Sequence, residues 1–142
     1  MSQQEKHKGS EKPQYLISLE EKWVKDYPAY SLAKFGMSVY ALAFSGEFKE
    51  HNIASNCLWP RTAIATAAVK NLLGGDESIK RSRTPDIMGD AAIFILNSDS
   101  SKVTGKFFID DEVLVSMGTN DLEKYNCVKG VSPNNLMPDF FI

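Results

Sequence analysis

Hydrophobic and polar positions are distributed unevenly along the chain. Residues 1–12 are almost wholly polar, dominated by Ser, Gln, Lys and Glu, and bury too little apolar surface to order themselves, so a disordered leader is expected there. Tyr15-Leu16-Ile17-Ser18 is a short apolar run ending in Ser, consistent with a buried strand whose last hydroxyl points out of a sheet edge. Residues 30–48 are apolar on nearly every side, with Phe35, Met37, Val39, Tyr40, Leu42, Ala43, Phe44 and Phe48 interrupted only by the small positions Gly36, Ser38, Ser45 and Gly46. This pattern predicts a long, largely buried helix. Pro28 suits its first turn, where the absent N–H costs nothing. A helix apolar all round is either deep in a core or shared with another subunit.

Beyond the polar break at residues 47–52, residues 53–59 are apolar enough for a parallel strand covered on both faces. Pro60 ends it, residues 61–66 turn the chain, and residues 66–73 form a helix closed by Gly74-Gly75. Residues 76–83 are polar, with Lys80, Arg81 and Arg83 close together, and read as a solvated charge run. Thr84-Pro85-Asp86 is a helix start, with Thr as N-cap and Pro in the first helical position. Met88, Ala91, Ala92, Phe94, Ile95 and Leu96 give that helix its apolar face. Thr104-Gly105 turns into a compact strand at residues 106–110, a short helix runs to Met117, and residues 131–142 read as an extended tail with Pro133 and Pro138.

Composition narrows the classes. A chain of 142 residues with 43% hydrophobic and 24% charged residues fits one soluble globular unit. A formal net charge of −2 leaves no basic excess to neutralise phosphates, so nucleic acid is not an expected partner. Cys57 and Cys127 form no disulfide framework and are read as reduced. No run reaches the roughly 18 apolar residues of a membrane span, and the polar N-terminus lacks a secretory signal's apolar stretch, so an intracellular chain is expected. His7 and His51 lie far from each other and from both cysteines, which excludes a metal-ligand spacing. No Gly-x-Ser-x-Gly elbow, Gly-x-Gly-x-x-Gly turn or Walker-type loop occurs.

The candidate chemistry lies at the start of the long helix. Tyr30 and Lys34 are four residues apart and share one helix face. A fixed cation beside a phenol lowers its pKa from about 10 and makes a proton-transfer pair; the alternative is a chance spacing, with Tyr half in the core and Lys snorkelling outward. The order Tyr30-Ser31-Leu32-Ala33-Lys34, then Asn56-Cys57-Leu58-Trp59-Pro60-Arg61-Thr62, then Thr104-Gly105-Lys106-Phe107-Phe108-Ile109-Asp110, resembles the C-terminal half of a short-chain dehydrogenase/reductase. Leu58-Trp59-Pro60-Arg61-Thr62 and Pro138-Asp139-Phe140-Phe141 most resemble that superfamily's hydroxysteroid dehydrogenase-like group.

The resemblance covers roughly residues 15–142. It implies an α/β fold, the second half of a doubly wound parallel Rossmann-type sheet, as a partial domain over residues 13–142 with the Gly-rich cofactor half absent. It implies NAD(P)-dependent oxidation of an alcohol or reduction of a carbonyl, on a hydroxysteroid- or lipid-like substrate. Tyr30 would be the general acid/base, and Lys34 would lower its pKa and hold the nicotinamide ribose. Ser18 would bind the substrate oxygen, unless it is an ordinary strand-end serine; the prolines that usually follow the family's serine are not present. Pro60, Arg61, Thr62 and Ile64 would border the nicotinamide, with Arg61 alternatively a solvated loop charge. Residues 76–83 would be a mobile segment over the substrate. Trp59 reads as core filling rather than a cleft wall. The long helix would pack across a dimer interface, and the family points to the peroxisome or mitochondrion, although the terminal Phe140-Phe141-Ile142 is no peroxisomal signal. The other reading is a non-catalytic fragment that docks through that helix onto an intact homologue.

Overall fold

The computed structural model describes residues 20–141. The polar leader and the strand expected at residues 15–18, including Ser18, lie outside the described residues. Helix α1 (Glu21–Val24) leads through a short break into α2 (Pro28–Glu47), whose Pro28 occupies the first turn as expected. After a single 3-10 turn, β1 (Cys57–Trp59) begins, followed by α3 (Ala67–Leu72), α4 (Gly75–Lys80) and α5 (Asp86–Leu96). Strand β2 (Phe107–Ile109) and α6 (Asp110–Ser116) complete the regular elements.

Strands β1 and β2 pair in parallel, with Cys57 opposite Phe107, Leu58 opposite Phe108 and Trp59 opposite Ile109. Three helices bridge them, as a parallel connection requires. The strands are shorter than their apolar runs because side chains set the register at their starts. The Asn56 amide donates to the Val103 carbonyl (2.9 Å) and accepts from the Lys106 N–H (2.9 Å), and the Thr104 hydroxyl accepts from the Ser55 N–H (3.1 Å). Gly105, at φ +68°, turns tightly under α2: a Cβ there would come within 2.9 Å of Ser45 Oγ. Ile87 and Ala91 of α5 meet Val113 and Leu114 of α6 and Tyr125 in the buried core, with Leu58 and Phe108 packed against it.

Three expectations need correction. The inward stripe of α2 is not its large apolar residues but Ser31, Ser38 and Ser45, spaced seven apart and buried, while Leu32, Val39 and Tyr40 are more than 60% exposed. Small side chains let the helix backbone approach closely; two of the hydroxyls are satisfied locally, Ser31 Oγ on the Tyr27 carbonyl (2.8 Å) and Ser45 Oγ on that of Leu42 (2.6 Å), while Ser38 Oγ is buried without a hydrogen-bond partner. Residues 76–83 are solvated only in part: Asp76, Glu77, Lys80 and Arg81 are exposed, whereas Ser82 and Arg83 are buried. The Arg83 backbone bonds to Ala63 and Ala65, and its Nη1 lies 3.7 Å from Asp111. Finally, the tail folds back. Met137 N–H donates to the Arg81 carbonyl (2.8 Å), Asp139 N–H donates to that of Arg61 (3.1 Å), and Phe141 is completely buried.

Candidate active site

A cavity of about 710 Å³ opens between α2, the end of β1, α3 and the returning C-terminal segment. Tyr30 and Lys34 line it from α2, Pro60 and Ile64 from the loop after β1, and Asp139 and Phe140 from the C-terminus. Leu72 and Leu73 add an apolar wall, and Trp59, although mostly core, contributes one edge.

Tyr30 and Lys34 stand one helical turn apart, and Lys34 Nζ lies over the Tyr30 ring, 5.5 Å from its centroid. The ring is also stacked on Phe141 at 6.3 Å and met edge-on by Phe140 at 5.6 Å. The phenol does not have the lowered pKa expected from its lysine neighbour. Burial pushes it above its ordinary value, and the negative charge of Asp139 pushes it further. A cation over the ring face does not outweigh those two effects. Asp139 is itself pushed up to about 6, chiefly by burial and secondarily by Asp110, against the opposing pull of the Phe140 N–H and the Lys34 charge. On the opposite wall, burial raises the Cys57 thiol, which faces the Ser38 hydroxyl.

Loop 60–66 is held rigidly from behind. Arg61 N–H donates to the buried Asp110 Oδ1 (2.9 Å), Ala63 N–H to the Met137 carbonyl (2.8 Å) and Ala65 N–H to the Arg83 carbonyl (2.8 Å). Alternate residues thus bind the protein, and Ile64, between two of them, faces the cavity. Burial pushes the Asp110 carboxyl up, against the Arg61 and Asp111 N–H groups that stabilise its ionised form. The Arg61 guanidinium bonds both Asp111 oxygens at 3.1 Å and pairs with Glu112, so it is neither a solvated loop charge nor a wall of the cavity. Thr62 is also buried behind the loop, its hydroxyl without a hydrogen-bond partner.

No family model matches the chain. Over 127 residues it is 49% identical to hydroxysteroid dehydrogenase-like protein 2 of Xenopus tropicalis, and over 126 residues 41% identical to that of Homo sapiens, in each case across 89% of this chain. The crystal structure of a short chain dehydrogenase from Mycobacterium thermoresistibile superposes with a TM-score of 0.74 at 46% identity, covering 88% of this chain. That of a putative dehydrogenase from Xanthomonas campestris gives 0.76 at 41%, covering 89%. The chain carries the C-terminal half of a short-chain dehydrogenase fold. This half-domain spans 29% of the length of the two curated relatives and 43% and 45% of the two solved chains.

Of the residues singled out in the sequence, Tyr30, Lys34, Pro60 and Ile64 meet at one cavity, while Arg61 and Thr62 do not line it. Asp139 was missed as a site residue. Its neighbourhood carried a signal in the Pro138-Asp139-Phe140-Phe141 run, but nothing local says that this run returns to a helix more than a hundred residues earlier. Among the described residues no group of His, Cys, Asp and Glu could hold a metal, both cysteines are free, and no helix is long and apolar enough to cross a membrane.

Proposed function

We propose that this half-domain is the nicotinamide- and substrate-facing part of an NAD(P)-dependent oxidoreductase that interconverts an alcohol and a carbonyl, with a hydroxysteroid- or lipid-like molecule as substrate. The observation that carries the reading is the convergence of Tyr30, Lys34, Pro60 and Ile64 on a single, mainly apolar cavity. The residues present fit one end of a dinucleotide: Ile64 faces the cavity between two loop residues whose N–H groups are already bonded, and Lys34 lines the same cavity with a cation. They offer no Gly-rich turn for a pyrophosphate. A bound nicotinamide would supply the hydride. Tyr30, the phenol at the cavity wall, would exchange the substrate's hydroxyl proton, Lys34 would hold positive charge near the reacting oxygen, and the wall of Leu72, Leu73 and Trp59 would exclude water.

The test joins the N-terminal part of a relative ahead of Tyr15. In that chimera Tyr30→Phe should lose at least ~100-fold in turnover while keeping its fold and cofactor affinity, because only the ionisable hydroxyl is removed. Retention of more than about a tenth of the rate would refute the assignment.

The exposed apolar residues of α2 favour a second role, association through that helix with another copy or with an intact homologue. Leu32 is 76% exposed, Val39 67% and Tyr40 64%, a density of apolar surface seldom left open on a monomer. A non-catalytic partner of that kind would leave the chimera inactive and the association intact. The peroxisome or mitochondrion, suggested by resemblance, is tested by imaging a tagged chain.

A further inference from the structure

Tyr30 lies in the first turn of α2, lines the cavity and is 43% exposed, so its own helix does little to hold the ring. A helical tyrosine has two favourable χ1 wells, and a ring that exposed is free to change between them. What confines it comes from the far end of the chain. Phe140 meets the Tyr30 ring edge-on with centroids 5.6 Å apart, and Phe141 stacks on it at 6.3 Å and 15°. Both separations fall where aromatic pairs attract beyond the area they bury, and one such pair shifts a rotamer balance by roughly 2- to 10-fold.

The two phenylalanines can hold the ring because they are themselves held. Phe141 is completely buried, with Phe35 at 4.8 Å and Trp59 at 5.9 Å. Phe140 borders the cavity and is met edge-on by Trp23 at 5.6 Å and Tyr27 at 5.5 Å. The backbone just before them is tied to loop 60–66: Ala63 N–H donates to the Met137 carbonyl (2.8 Å), Pro138 bridges antiparallel to Thr62, and Asp139 N–H donates to the Arg61 carbonyl (3.1 Å).

We propose that Phe140 is a positioning residue of this site: its ring, backed by Trp23 and Tyr27, selects the one orientation in which Tyr30 presents its phenol to the cavity. The proposal rests on the role given to Tyr30 above. A proton passes between the phenol and a substrate oxygen only within hydrogen-bond reach, and misplacing reacting groups by about 1 Å can cost on the order of 100-fold in rate. Phe141 touches the same ring, but its loss would disturb the core as well, whereas Phe140 is only half-buried and can be changed with less damage.

The test labels the tyrosine rings of the full 142-residue chain with ¹³Cε and measures the order of the ring C–H bonds by NMR relaxation, with Tyr30→Phe assigning the Tyr30 signal. In the parent, Tyr30 should be about as ordered as Tyr125, which is 3% exposed, and well above Tyr40, which is 64% exposed. Phe140→Leu keeps apolar bulk without the ring; it should drop the Tyr30 order toward that of Tyr40 and leave Tyr125 unchanged, and Phe140→Tyr should restore it. A parent Tyr30 ring as mobile as Tyr40 would overturn the proposal, and this measurement stands even where Phe140→Leu fails to fold. So would a Tyr30 order that ignores Phe140→Leu, a loss that Phe140→Tyr does not restore, or a loss shared by Tyr125, which would mark a structural role only. None of these readouts involves turnover, so an inactive chimera with an ordered ring refutes the role given to Tyr30, and an active chimera with a mobile ring refutes the positioning alone.

Discussion

Phe141 offers the sharpest test of how the cavity is built. It has no exposed surface, and its ring meets Phe35 at 4.8 Å, Trp59 at 5.9 Å, Phe140 at 6.0 Å, and Trp23 and Tyr30 at 6.3 Å each. Truncating a buried Phe to Ala costs about 3–5 kcal/mol, and the lost aromatic pairs place this site at the upper end of that range. A domain's whole stability is about 5–15 kcal/mol, so Phe141→Ala should lower the melting temperature by on the order of 10 °C. Phe141 also sits at φ +75°, where a Cβ is strained by roughly 1 kcal/mol. Phe141→Gly should therefore be about 1 kcal/mol less damaging than Phe141→Ala, the reverse of the order in a helix. Both tryptophans touch this ring, so their emission in urea titrations reports the loss directly, at one fixed protein concentration. A cost below about 1 kcal/mol for Phe141→Ala, or Gly worse than Ala, would show that the C-terminal segment does not close this core.

Asp110→Ala should cost roughly 2–3 kcal/mol in chemical denaturation, because two partly buried N–H groups, of Arg61 at 2.9 Å and Asp111 at 2.7 Å, lose their acceptor; Asp110→Asn, which keeps an acceptor oxygen, should cost less. Asp139 binds its proton more tightly in the folded chain, at about 6 against 3.8, so its contribution to stability is full below about pH 3.8 and is lost as pH rises through about 6. At ~1.36 kcal/mol per unit the loss is at most about 3 kcal/mol, and melts of Asp139→Asn across that window should show a flatter profile than the parent. The apolar face of α2 should make the chain self-associate, and sedimentation equilibrium giving a monomer throughout the micromolar range would refute that.

Local rules of periodicity and capping were enough to read several elements directly. Pro28 opens α2 and Thr104-Gly105 turns the chain into β2, whereas the expected Thr84 cap is not made: Pro85 itself takes the N-cap position of α5 and the Thr84 hydroxyl donates to Asp86 instead. Tyr30 and Lys34 sit together because a helix places residues four apart on one face, and that geometry depends on nothing outside the helix. The family resemblance, and with it the parallel pairing of two short strands, was also carried by contiguous motifs. Contacts between distant segments were not legible in the same way. The burial of the Ser31, Ser38 and Ser45 stripe depends on what α2 lies against, since hydrophobicity ranks those positions last and close approach ranks them first. Arg83 is buried because its backbone joins Ala63 and Ala65 and its side chain finds Asp111, none of which is near it in sequence. Asp139 and Phe141 looked like an extended tail until the chain's return brought them against Tyr30. A phenol's pKa depends on every charge and every buried neighbour around it; the spacing of Tyr30 and Lys34 reported one of those charges, and tertiary structure supplied the burial and the carboxylate that outweigh it.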